Sequence, residues 1–301
     1  MKLQKICALL LALLFLTGCG RQSAVLAGDP EEETPAAEEA APEAAEPTAA
    51  EEPSEDWAVW IPALELPEPE PGVVYDMIGL IVWHGGIYTQ AQFYYGEEAE
   101  ALDALVGEEL GYATGSIDEW SRQDEYAVEC ASTMAGPFYA MEGYDTDFRL
   151  CMKGVYEGGE AYLWTFERLN GIGLNTGGDL FGDRLRIREN WTSASFLTHD
   201  DWNDGEPNHE QPLEVSEADF NSFLDAVYAG EFVYVYEDTP DFYTRDSAPQ
   251  QAHLYVHLSD GTTAALRLFE GGYVGYEPLG WYFVRIPEDD PVFQRILDAC
   301  G

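Results

Sequence analysis

Asp260-Gly261 separates two runs of strand-like residues, Ala252 to Leu258 and Thr262 to Phe269. Asp and Gly tolerate the left-handed dihedrals of a tight antiparallel turn, so this dipeptide between such runs is a strong short hairpin signal. Two more hairpins are expected. Ile78 to Trp83 and Ile87 to Tyr95 flank His84-Gly85-Gly86, and Phe148 to Tyr156 and Ala161 to Leu169 flank Gly158-Gly159. The chain holds 8 Trp, 18 Tyr and 14 Phe, residue types that suit a pleated, half-buried surface.

Helical signals sit between the strand-like runs. Ser216 followed by Asp219 resembles a capping box. Phe220, Phe223, Leu224, Val227 and Tyr228 then trace one apolar stripe at helical spacing. Asp290 as N-cap and Pro291 at the first helical position open a last helix, with Val292, Ile296 and Leu297 on its apolar side. Weaker patterns predict helices from Glu97 to Val106 and within Asp118 to Met134. The expected fold is α+β, mainly antiparallel sheet with helices packed on one face.

Two stretches read alike. One runs from Ala135-Gly136 through Phe148 to Cys151, Trp164 to Glu167 and Gly171 to Gly173, ending in a strand at Arg184 to Ile187. The other runs from Ala229-Gly230 through His253 to Val256, Leu266 to Glu270 and Gly272 to Gly275, ending at Tyr282 to Ile286. Two degenerate helix–hairpin repeats would give this order. So would chance, since α+β segments align easily at this level.

The N-terminus carries a short basic stretch, the apolar run Ile6 to Phe15, and then Leu16-Thr17-Gly18-Cys19. This resembles a bacterial lipoprotein signal, in which cleavage leaves Cys19 as a lipidated N-terminus. The resemblance implies export and anchoring to the outer face of the cytoplasmic membrane, where two acyl chains suffice for stable attachment. Residues 20–70 read as a disordered acidic linker of Pro, Ala and Glu that buries too little apolar surface to offset its ordering entropy. Trp57, Trp60, Ile61 and Leu64 interrupt it and are expected to dock on the domain as a short clip. Residues 71–301 form the expected globular domain, with 71–200 and 213–301 as sub-modules.

The chain has 57 Asp and Glu against 14 Lys and Arg, a net charge of −43. That field repels nucleic acid and other polyanions and attracts cations and basic partners. Cys130, Cys151 and Cys300 remain after processing, an odd number that argues against a disulfide framework. Buried thiols are expected.

The densest ligand-type cluster is His199 to Glu210. Asp200, Asp201, Asn203, Asp204 and Glu206 supply oxygens of the kind calcium takes, although Gly205 stands where an EF-hand loop needs an oxygen ligand. A solvated acidic turn is the alternative. Glu167 and Glu270 occupy matching places in the two similar stretches and would be the paired carboxylates of a glycan hydrolase; strand-end carboxylates bonded to backbone or to Arg168 and Arg267 are the plainer reading. The Gly-rich run from Glu270 to Tyr276 lacks the lysine of a phosphate loop and reads as a bulged bend with exposed tyrosines. Tyr273, Tyr276 and Trp281 are therefore the expected ligand-binding aromatics. No G-x-S-x-G motif is present, no His neighbours a Cys in sequence, and His84 and His257 read as structural. No residue is assigned a catalytic role.

Gly143 to Lys153 and Leu266 to Tyr276 resemble segments of uncharacterised lipoproteins from low-GC Gram-positive bacteria, across most of residues 76–301. The resemblance implies a thick wall over a single membrane and carries no activity. The expected role is a non-catalytic module that binds an envelope glycan, peptide or protein, with an envelope glycan hydrolase as the alternative.

Overall fold

Polar turns fold the chain back on itself at each expected hairpin in the computed structural model, which describes residues 56–65, 78–235 and 251–300. The first hairpin joins β2 (Leu80–Trp83) to β3 (Gly86–Tyr95). Its two turn residues, His84 and Gly85, both take positive φ, 50° and 71°, the backbone hand that matches strand twist. The second joins β6 (Arg149–Val155) to β7 (Ala161–Glu167), and the third joins β12 (Gln251–Leu258) to β13 (Thr263–Phe269) around Asp260-Gly261.

With β4 (Val106–Thr114) and β5 (Ala135–Met141), the first two hairpins build an antiparallel six-stranded sheet of order β2-β3-β7-β6-β5-β4. The third hairpin is the centre of a seven-stranded sheet. Its other members are β9 (Trp191–Thr198), β10 (Gln211–Pro212), β11 (Glu231–Tyr234), β14 (Tyr273–Tyr276) and β15 (Tyr282–Arg285), in the order β10-β9-β12-β13-β14-β15-β11. Because β9 belongs to this sheet, the second sheet begins before residue 200. The two similar sequence stretches differ in strand order: β5 lies beside β6, whereas β11 lies beside β15.

The main core lies between the seven-stranded sheet and two helices, α4 (Glu217–Ala229) and α5 (Pro291–Ala299). Period-2 alternation turns Leu254, Val256, Leu266, Leu268, Val274 and Val284 to that side. Phe220, Phe223, Leu224 and Val227 of α4 meet them, fully buried. On α5 the buried stripe is Phe293, Ile296 and Leu297, and Val292 is only half-buried. Both expected N-caps form. Ser216 Oγ accepts from the Asp219 amide at 3.1 Å, and Asp290 Oδ1 accepts from the amides of Val292 and Phe293 at 2.9 Å each. Asp290→Ala should cost about 1 kcal/mol, read as a lowered urea midpoint, and Asp290→Ser should recover most of the loss.

The clip forms as β1 (Val59–Ile61), paired with β8 (Ile172–Leu174). Val59 and Ile61 are buried, and Trp57 occupies the space a side chain at Gly173 would need. Cys19, the signal and most of the linker lie outside the described residues, among which no helix is long and apolar enough to cross a membrane.

Three local expectations are corrected. The first helix, α1 (Glu97–Ala101), ends early and passes through a 3-10 turn into β4. Asp118 to Met134 is not an α-helix beyond one 3-10 turn at Gln123–Ala127. Its backbone bonds instead to β2, with the Val82 amide donating to Ala131 O and the Cys130 amide to Val82 O, at 2.8 Å each. Arg184 to Ile187 is not a strand: Arg186 takes φ 52° and caps the short α2 (Ile187–Asn190). Cys130 is half-buried, while Cys151 and Cys300 are buried; all three are free thiols. Burial pushes the Cys151 and Cys300 thiols up to about 12, so neither is a reactive thiolate at neutral pH.

Candidate functional site

Polar contacts join the two sheets, among them the following. Gln92 Nε2 donates to Thr263 O, Tyr144 OH donates to Asp260 Oδ2 at 2.7 Å, and Tyr276 OH lies 3.0 Å from both carboxylate oxygens of Glu167. Beside this junction a cleft of about 410 Å³ opens between β3 and the face of the seven-stranded sheet away from α4 and α5. Its β3 wall is a β-bulge, where the pairing with β7 skips Ala91. Bulges re-aim side chains and recur beside binding sites. Here the bulge brings Gln92 and Tyr94 to the cleft, and Tyr94 OH donates to Gln92 Oε1. The opposite wall carries Tyr255, Thr263, Ala265 and Glu277.

Desolvation dominates the electrostatics of these groups. Burial pushes the Tyr255 phenol up to about 12, with the charges of Glu277 and Glu210 adding to it. The Glu277 carboxyl is raised by burial, and the Arg267 charge pulls the other way. The cleft thus offers neutral phenols, a carboxamide and a carboxyl that holds its proton above the usual range.

Next to Tyr255 on the same face, residues from three strands and a loop form a hydrogen-bonded chain. Ser195 Oγ lies 2.7 Å from His257 Nε2 and donates to Glu210, and His257 Nδ1 lies 3.2 Å from Thr263 Oγ1. Glu210 Oε1 is 3.8 Å from His257 Nε2. A Ser–His contact is the start of a nucleophile pair, but the carboxylate here holds the serine and not the histidine. Ser195 also sits in mid-strand, flanked by β12 and β10, away from a helix N-terminus or nest that would bind an oxyanion. The chain offers hydrogen-bonding groups beside Tyr255. His257, read from sequence as structural, is one of its members.

His199–Asn203 is a short helix, α3, whose N-cap Thr198 accepts from the Asp201 amide. Both Asp201 oxygens are engaged: Oδ2 accepts from Thr198 Oγ1 and Oδ1 meets His209 Nδ1, at 2.7 Å each. Asp200, Asn203, Asp204 and Glu206 are exposed. Among the described residues no group of three or more His, Cys, Asp or Glu is arranged to hold a metal ion. Trp202 turns back onto the sheet and stacks on His253, with ring centroids 4.2 Å apart.

Tyr273, Tyr276 and Trp281 do not form an exposed tyrosine bend. Residues 273–276 are a strand, so Tyr273 and Tyr276 point to opposite faces. Tyr276 is buried against Glu167 and borders the cleft. Tyr273 lies under the Arg285 guanidinium, 4.1 Å from its ring centroid, and Trp281 is exposed. Glu167 is bonded to Arg149, the residue opposite it on β6, and not to Arg168; Glu270 is exposed.

A second hollow of about 670 Å³ lies between β9 and the start of α4. Arg188 is paired there with Asp225, and Trp191 Nε1 donates to Asn221 Oδ1 at 3.0 Å, while Glu189 and Glu217 are exposed at its edge. No family model, no curated protein and no solved structure matches this chain.

Proposed function

We propose that this is a lipid-anchored binding module of the cell envelope, tethered through Cys19, whose ligand site is the cleft between the two sheets. The observation that carries this reading is the cleft itself. Its volume falls in the range of small-ligand sites, about 300–1,000 Å³, and its lining of phenol rings, Gln92 and Glu277 combines apolar faces with a few convergent polar groups. A carboxyl raised by burial, with phenol hydroxyls and a carboxamide, suits a ligand rich in hydroxyls. An envelope glycan has that chemistry. Glycan hydrolysis by two flanking carboxyls is less well supported, because Glu277 is the one carboxyl among the residues lining the cleft.

Thermal unfolding of the mature chain in the presence of oligosaccharides, muropeptides, short peptides or calcium tests the reading. A ligand at about 100 times its dissociation constant adds roughly 2.7 kcal/mol, a rise of several degrees for a domain of this size. We expect the rise with an oligosaccharide or muropeptide, and its loss in Tyr255→Ala. A rise that survives Tyr255→Ala would place the ligand elsewhere, and silence across the panel would overturn the reading.

A further inference from the structure

On the six-stranded sheet, the face turned away from α1 carries a row of aromatic rings running from the core to the β6–β7 hairpin tip. Trp164 packs against the buried cluster around Phe138 and Met152. Phe93 follows at 4.3 Å between centroids, then Tyr95 at 6.2 Å, Tyr156 at 5.9 Å and Tyr162 at 4.7 Å. Phe93, Tyr95 and Tyr156 are each 43% exposed. Register explains the row. Phe93 faces Trp164 and Tyr95 faces Tyr162 across β3 and β7, and Tyr162 in turn lies across Gly154, where a Cβ would meet its hydroxyl.

Elsewhere the protein covers aromatic faces with its own cations. Arg149 lies over Tyr144, Arg267 over Phe269 and Phe283, and Arg285 over Tyr273. Among the described residues no arginine or lysine lies over the five rings of the row. The nearby Lys153 is held by Asp103 at 3.1 Å. The residues at the ends of these strands are acidic and exposed: Glu97, Glu98, Glu157 and Glu160. The Glu160 carboxylate beside Tyr95 holds its phenol above the usual range.

We propose that this aromatic row is the docking surface for an arginine- or lysine-rich segment of a partner protein. The electron-rich faces of Trp and Tyr attract guanidinium and ammonium groups, and the acidic rim and the net charge of −43 select the same sign. A rigid row of rings provides contact area at low entropic cost. A polyanion is repelled by the same field.

The test is a fluorescence-anisotropy titration of the mature chain with a labelled peptide alternating arginine and serine. A second peptide carries citrulline, which keeps the planar shape and loses the charge. At about 0.15 M salt the Debye length is about 8 Å, so the diffuse field of distant carboxylates is screened. The arginine peptide should bind and the citrulline peptide should not. The double variant Tyr95→Ala/Tyr156→Ala keeps every charge and removes two exposed rings; it should weaken binding about tenfold with little change in unfolding midpoint. Equal binding by this variant, equal binding by the citrulline peptide, or saturation of the row by a neutral oligosaccharide would each overturn the proposal. Phe93 also lines the cleft on its β3 wall; Tyr255→Ala, on the opposite wall, should leave peptide binding intact, which separates the row from the glycan site.

Discussion

Glu167→Ala should destabilise the protein by about 3–5 kcal/mol, more than the loss of the side chain's packing alone would give, because it strands a buried charge. Glu167 ends β7 and Arg149 begins β6, directly opposite in register, with side chains 0% and 1% exposed. Arg149 Nε donates to Glu167 Oε1 at 2.9 Å, with Nη2 donating to the same oxygen. The guanidinium lies 4.1 Å from the Tyr144 ring centroid, and Tyr276 brings its hydroxyl from the other sheet. Burial, and then the Glu167 charge, hold the Tyr276 phenol well above the usual phenol range, so it stays a donor at any physiological pH.

At about 2–4 °C per kcal/mol for a domain of this size, the midpoint should fall by on the order of 10 °C. A swap that removes both charges, Arg149→Met/Glu167→Leu, should regain most of the loss, since a buried pair exchanged for apolar groups of similar volume is near neutral. If single and double variants are equally unstable, the pair contributes by shape and not by charge. Tyr276→Phe removes one bond to a charged acceptor and should cost about 1.5–3 kcal/mol. The cleft borders this junction, so ligand binding should weaken in step with the single variant.

What could be read in advance was local. Asp260-Gly261, the capping residues Ser216 and Asp290, and the Phe220-to-Val227 stripe each encode their structure within a dozen residues, and the hairpins and helices formed there. Asp118 to Met134 has apolar residues at helical spacing, yet the Cys130 and Thr133 amides are satisfied by Val82 and Leu80, some fifty residues back. No window along the chain contains those partners. The cleft is of the same kind. Gln92, Ser195, Glu210, Tyr255 and Glu277 are far apart in sequence and meet only because β9 lies beside β12 and the β13 hairpin docks on the β3 bulge. The one legible clue was the alternation of His253, Tyr255 and His257, which places three polar aromatics on one sheet face. The acidic run after His199 has the composition of either a cation loop or a solvated turn, and its composition does not show that Trp202 stacks on His253 or that the run winds into α3.

His253 should make the protein acid-sensitive between pH 6.5 and about 4. It is 3% exposed, covered by the Trp202 ring, flanked in register by Leu197 and Arg267, with the His199 ring 6.0 Å away. Among the described residues its Nε2 has no hydrogen-bond partner. Burial, then His199, then Arg267 lower its pKa from 6.5 to about 4. The unfolded chain takes a proton at this histidine near pH 6.5 and the folded protein does not until about pH 4. Protons therefore favour unfolding throughout that window. The stabilising effect is complete above pH 6.5 and declines as pH falls, by about 3 kcal/mol in all. Carboxylate protonation relieves the repulsion of a strongly acidic chain over the same range, so the parent's curve alone is not diagnostic. His253→Phe retains a ring under Trp202 and carries no proton, and every other titrating group is shared. Urea midpoints of the two proteins should therefore diverge as pH falls from 7 to 4.5, the parent losing about 2 kcal/mol more than the variant. Parallel curves would show that folded His253 ionises near its ordinary pH, and that the α3 cover does not keep water from it.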